Sequence, residues 1–135
     1  LGFLYQTRNV LVGVDAARAR AATARWSTVL EGVHLVPGMV GTAHPGASVV
    51  QCVVAIEDEN LHRSHFWVRD HATEGLRPLE KYVDSLPQIR EIQDYIVERA
   101  KRHDVPVIYN DSLDRAIGEV LDLVLRRADQ LVDVA

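Results

Sequence analysis

Among 135 residues there is one cysteine, and there are only two lysines; each shortage closes a class of protein. Cys52 has no partner for a disulfide, so the chain is expected in a reducing compartment, the cytoplasm by default. No apolar run approaches the roughly 20 residues of a membrane span, and no membrane partner is expected. No basic excess exists either: 15 Lys+Arg stand against 19 Asp+Glu, giving a net charge of −4. That balance excludes the basic stripe that holds nucleic acid. His62, His65 and His71 invite a zinc reading, but a structural zinc centre wants four ligands and cysteine is nearly absent. Residues 1–13 lack the charged start and the cleavage-like end of a signal peptide. The first residue is Leu1 rather than Met, which suggests a piece of a longer chain.

What is present fits one soluble domain over residues 1–135. Hydrophobic residues make up 47% and charged residues 25%, enough for a real core. Phe3, Val10, Val14, Ala17, Ala21 and Ala24 recur at mostly helical spacing, so residues 3–25 read as a helix, broken or bent near Gly13. Trp26–Val33 is short and β-rich and reads as a strand. Residues 35–47 carry Pro37, Gly38, Gly41, Pro45 and Gly46 and read as loop. Ser48–Ile56 is nearly all apolar, the pattern of a strand covered on both faces in a parallel sheet. Residues 57–72 mix acids, histidines, arginines and aromatics, as a helix or a partly mobile excursion would. Ile89, Ile92, Ile96 and Ala100 mark an amphipathic helix over 86–103, with Pro87 near its start. Val105–Tyr109 is a third β-rich run. Asp111 or Ser112 can cap a last helix whose buried stripe is Leu113, Ala116, Val120, Val124 and Ala128. This alternation argues an α/β fold, a parallel sheet with flanking helices.

In open α/β sheets, ligands bind beyond the carboxyl ends of the strands. Glu31 and His34 would end the first strand, Glu57 and Asp58 the second, and Asn110 the third. A carboxylate there can hold a hydrated Mg²⁺ or orient an acceptor hydroxyl, or simply pair with a nearby arginine. Arg63 and Arg69 can fork onto phosphate oxygens. On a straight helix they lie roughly 120° apart, so they would grip different phosphates unless one is merely solvated. Arg90 and Gln93 lie off the isoleucine stripe and are free to face a ligand. One motif is missing: Lys81 and Lys101 follow no glycine-rich turn, so the chain has no Gly-x-x-x-x-Gly-Lys-Ser/Thr loop to cradle a triphosphate.

The run Leu30-Glu31-Gly32-Val33-His34-Leu35-Val36-Pro37-Gly38 resembles the "EGxHLxPG" motif of 2-phosphoglycerate kinases and their bacterial relatives. His62-Arg63-Ser64 through Arg69, Lys81-Tyr82, Ile89-Arg90-x-Ile92-Gln93-x-Tyr95 and Val105-Pro106-Val107-Ile108 are similar to that family too, in the same order. The opening Gly2-Phe3, with Gln6 and Val10, is similar to the helix before the motif. The resemblance implies a P-loop kinase-like fold, here a partial three-layer parallel sheet lacking the P-loop strand and helix, with a lid-like segment at about 59–75. It implies transfer of the ATP γ-phosphate, with Mg²⁺, to a phosphorylated hydroxy acid such as 2-phosphoglycerate. Glu31 would serve the Mg²⁺ and acceptor centre, Arg63 and Arg69 would be lid arginines, and Gln6, Arg8, His34, Arg90 and Gln93 would contact the acceptor. Asn110 would lie near the nucleotide. Without the P-loop half the chain alone is expected to be inactive and to need that half, or a second copy, as its partner. The alternative is a non-catalytic anion-binding or scaffold module that dimerises through its open sheet edge.

Overall fold

A computed structural model describes residues 2–72 and 79–132. Seven elements follow one another: α1 (Gly2–Ala24), β1 (Val53–Ala55), α2 (Glu59–Ala72), α3 (Leu79–Asp84), α4 (Leu86–Arg102), β2 (Val107–Tyr109) and α5 (Leu113–Val132). The last part of the lid-like segment expected at 59–75, residues 73–75, lies outside the described residues.

Helix α1 passes through Gly13 without a break. A lone interior glycine costs only about 1 kcal/mol and leaves the hydrogen-bond ladder intact, so the expected bend does not form. The helix stops where Arg25 turns left-handed, at φ 57°. There the Trp26 amide closes onto the Ala21 carbonyl at 2.9 Å. Helix α4 ends the same way. Asp104 takes φ 53°, and the Val105 amide reaches back to the Ala100 carbonyl at 2.9 Å.

The expected strand at Trp26–Val33 is not one: among the described residues no ladder partner lies beside it, and Trp26, Val29 and Val33 are exposed. β-Branched residues favour a strand only where a neighbouring strand and a covering face exist, and here neither does. The sheet among the described residues is therefore two-stranded and parallel, with Val53, Val54 and Ala55 opposite Val107, Ile108 and Tyr109. The two remaining strands are also shorter than their apolar runs. Helix α4 packs against both strands and α5 against β2.

The core is small. Val36, Leu86, Ala100, Ile108 and Ala55 are almost wholly buried, and the Ile89, Ile92 and Ile96 stripe of α4 is half-buried against them. Two expected burials fail. Val54 on β1 remains 56% exposed, so that strand is covered on one face only. On α5 the expected core stripe buries Ala116 and half-buries Val120, while Leu113, Val124 and Ala128 stand in solvent. Among the described residues no element lies over either surface.

Candidate functional site

The end of β1 is held from the side by α4. Gln93 clamps both backbone groups of Ile56: its Oε1 accepts the Ile56 amide at 3.0 Å, and its Nε2 donates to the Ile56 carbonyl at 2.9 Å. One turn earlier, Arg90 donates to the Ile56 carbonyl at 3.3 Å and to the Glu57 carbonyl at 2.9 Å. The two side chains expected to face an acceptor thus spend their hydrogen bonds on the strand tip. They set where Glu57 and Asp58 leave the sheet. Asp58 is consumed locally as the cap of α2, its Oδ1 accepting the Leu61 amide at 2.9 Å. Glu57 is exposed beside it. Across the sheet, the Asn110 amide donates to the Ala55 carbonyl at 2.8 Å, which fixes Asn110 at the neighbouring strand tip.

The segment around Glu31 is built differently. Its later half is a docking wedge: Val36 and Pro37 are fully buried, and Arg99 of α4 donates to the Pro37 carbonyl at 3.0 Å. Gly38 sits at φ 76°, a left-handed conformation that favours glycine, and a Cβ there would have to push the exposed His103 imidazole aside. His34 is tied to α1: its Nδ1 shares a hydrogen bond with the buried Thr7 hydroxyl at 3.0 Å, and its ring stacks on Phe3 at 5.2 Å. Phe3 in turn meets Tyr95 of α4 edge-on. The first half of the segment stays outside this packing. Glu31 is exposed, on a loop rather than at a strand tip, and makes no hydrogen bond or ion pair to another described residue. Gln6 and Arg8 are exposed on α1.

On α2 the arginines part as the helical spacing requires. Arg63 is exposed, in a loose pair with Glu59 at 3.4 Å. Arg69 lies over the rings of Phe66 (5.2 Å) and of Tyr82 on α3 (4.5 Å), a cation–π stack that ties the two helices. Phe66 also stacks on His62. That histidine, given a role above only with His65 and His71 for zinc, is 8% exposed, and its Nδ1 has no hydrogen-bond partner among the described residues. Burial, reinforced by the cationic Arg90, His65 and Arg69, holds its pKa below the usual histidine value despite an opposing pull from Glu59. A buried imidazole in the middle of such a polar run leaves no period-based signal, which is why the sequence conceals it. Burial likewise pushes the Cys52 thiol up and keeps it protonated. Among the described residues no three His, Cys, Asp or Glu side chains gather as a metal site. No described helix is long and apolar enough to cross a membrane.

Comparison with known proteins bears out the resemblance. The chain is 34% identical to a 2-phosphoglycerate kinase of Methanococcus maripaludis over 134 residues, covering 98% of this chain and 42% of the relative. It is 35% identical to that of Thermococcus kodakarensis over 130 residues (96% of this chain, 43% of the relative). It is 32% identical to that of Methanopyrus kandleri over 126 residues (91% and 38%). The chain therefore spans less than half the length of the curated relatives it matches. No family model and no solved structure matches it.

Proposed function

Over nearly its whole length this chain is a homologue of part of the archaeal 2-phosphoglycerate kinases, and from that premise we propose that it forms the acceptor and lid portion of an ATP-dependent small-molecule kinase of P-loop type. The observation that carries the reading is a sequence match running end to end through residues that also form one connected packing unit. The pieces of the resemblance meet in space: the 36–38 wedge docks on Arg99 of α4, the same helix whose Arg90 and Gln93 hold the tip of β1.

In the proposed reaction the hydroxyl oxygen of a phosphorylated hydroxy acid attacks the γ-phosphorus, the bond to ADP breaks, and the hydroxyl proton leaves to a nearby base. Positioning and charge stabilisation carry most of such a reaction. Mg²⁺ needs few protein ligands, since it keeps several waters and binds one or two carboxylates beside substrate phosphates. Glu31, exposed and unpaired, suits that single-carboxylate role. The metal would there neutralise charge on the phosphates. Arg63 stands free enough of packing to swing onto a phosphate, whereas Arg69 would act from its aromatic stack, as the lid's fixed charge. Gln6, Arg8 and His34, whose Nε2 makes no hydrogen bond to another described residue, remain the acceptor-side groups. Arg90 and Gln93 are better placed to hold the strand tip at which the acceptor would lie, with Asn110 on the nucleotide side. The triphosphate cradle has no sequence here and would come from residues beyond these 135, so this chain alone would be inactive. The names of the relatives favour this kinase reading over a scaffold module.

The test is a coupled ATP-turnover assay on the longest polypeptide whose reading frame contains this chain, with 2-phosphoglycerate and other phosphorylated hydroxy acids as acceptors. Acceptor-dependent ADP release is expected. Glu31→Gln should lower turnover by two or more orders of magnitude with folding intact, and Arg63→Ala by a smaller factor. ADP release indifferent to acceptor, or undiminished in Glu31→Gln, would overturn the proposal.

A further inference from the structure

Helix α1 holds two threonines, and they use their hydroxyls differently. Thr23 donates to the Ala19 carbonyl one turn back, at 2.9 Å, the local bond open to any helical hydroxyl. Thr7 makes no such bond. It is wholly buried, and among the described residues its hydroxyl has one hydrogen-bond partner, Nδ1 of His34, 27 positions on, at 3.0 Å.

The direction of that bond follows from what each group has to give. A hydroxyl has one proton, and a neutral imidazole has one nitrogen that donates and one that accepts. If Nδ1 carried the ring proton, it would donate to the Thr7 oxygen. The hydroxyl proton would then be stranded in the interior at the full cost of its desolvation. A doubly protonated ring would strand it in the same way. If Thr7 donates, its proton lands on a bare Nδ1 and the ring proton sits on Nε2. Only this arrangement leaves nothing unmet.

The packing leaves the same atom free. Phe3, one turn before Thr7 on the same face of α1, stacks on the His34 ring at 5.2 Å. Beneath the ring the backbone makes a tight turn, the Leu35 amide donating to the Gly32 carbonyl at 3.0 Å. The buried Val36 and Pro37 follow at once and anchor it. Helix α1 thus takes one face and one nitrogen of a half-buried ring. Nε2 bonds to no described residue.

We infer, on the kinase reading above, that Thr7 is a positioning residue: by donating to Nδ1 it fixes His34 as an Nε2–H donor. That donor recognises an anionic oxygen of the acceptor, carboxylate or phosphate, and cannot take the proton of the attacking hydroxyl. The work at the acceptor is therefore divided. His34 binds, and a different group receives the proton. A bond from a neutral N–H to an anionic oxygen is charge-assisted and is already made in the ground state, so its loss raises KM rather than lowering kcat.

The experiment uses the longest polypeptide whose reading frame contains this chain, carrying isotope-enriched histidine. The ring nitrogens of His34, assigned by their loss in His34→Gln, are read by NMR above the ordinary histidine titration range. A protonated Nε2 and a proton-free, hydrogen-bonded Nδ1 are expected. Thr7→Val, which keeps the shape and removes the hydroxyl, should move Nδ1 to the position of a nitrogen with no donor, and Thr7→Ser should restore it. Added 2-phosphoglycerate should shift Nε2 and its proton. In the coupled assay Thr7→Val should raise the acceptor KM about tenfold with kcat within about threefold, and Thr7→Ser should recover most of the loss. A proton on Nδ1, an Nδ1 signal indifferent to Thr7→Val, an Nε2 indifferent to 2-phosphoglycerate, or a Thr7→Val defect confined to kcat would each overturn the inference. The NMR readout needs no turnover. The expected signals without phosphate transfer would sink the kinase reading alone, and transfer with the proton on Nδ1 would sink the role of Thr7 alone.

Discussion

Helices α4 and α5 make the instructive contrast. Both are amphipathic and both flank the same two strands. Helix α4 is surrounded: Leu86 and Ala100 are buried at its ends, and its polar side chains reach across to the backbones of residues 37, 56 and 57. Helix α5 carries the cleaner apolar stripe and buries almost none of it. The difference lies in what surrounds each helix. A stripe states which face needs cover, and only a neighbour supplies it.

That contrast can be pressed by substitution, with stability followed by urea unfolding of the 135-residue chain. Leu86→Ala, in the covered region, should cost most, about 2–5 kcal/mol, because the cavity cannot refill; a loss below about 1 kcal/mol would mean that α4 is not packed as described. Gly38→Ala comes next, at about 1–2 kcal/mol, from the left-handed backbone, with the exposed His103 ring displaced. Gln93→Ala should cost about 1–2 kcal/mol by leaving the Ile56 amide unpaired, and hydrogen exchange at Ile56 should rise with it. Ile117→Ser on α5 should change stability by less than about 0.5 kcal/mol in this chain.

A gentler probe is pH. The folded state holds the His62 pKa below its unfolded value, so the neutral ring is the form that suits the fold. Its contribution is fully present above about pH 6.5, the ordinary histidine value. It is lost as the pH falls through the lower, folded value, because the unfolded chain takes up a proton that the folded chain resists. His62→Leu should flatten the acid side of the stability profile between those two points, and an unchanged profile would show that the ring is not held neutral.

Much of this was legible beforehand. Helices α1, α4 and α5 and the two parallel strands follow from apolar period and from Pro87, and the kinship follows from residues 30–38; the polar run that forms α2 left a helix and a mobile excursion both open. Three things were not legible. The run Trp26–Val33 has strand composition but no neighbour, and a strand is a relation between segments rather than a property of one. Gly13 looked like a break because glycine's cost is local, while helix continuity depends on the bonds around it. Arg90 and Gln93 looked free because they lie off the hydrophobic stripe. Their partners are backbone groups 34 and 37 residues away, at Ile56 and Glu57, and no local pattern reports those.

From its own chemistry the sequence settled the helices α1, α4 and α5, their apolar faces, and which relatives the chain has; short-range sterics and side-chain patterning suffice for that. Tertiary structure alone decided that the Val36–Gly38 turn is a wedge against α4, that Gln93 closes one end of a strand edge, and that the best apolar stripe in the chain lies bare. Those outcomes depend on which distant surfaces meet, and burial is settled only when they do.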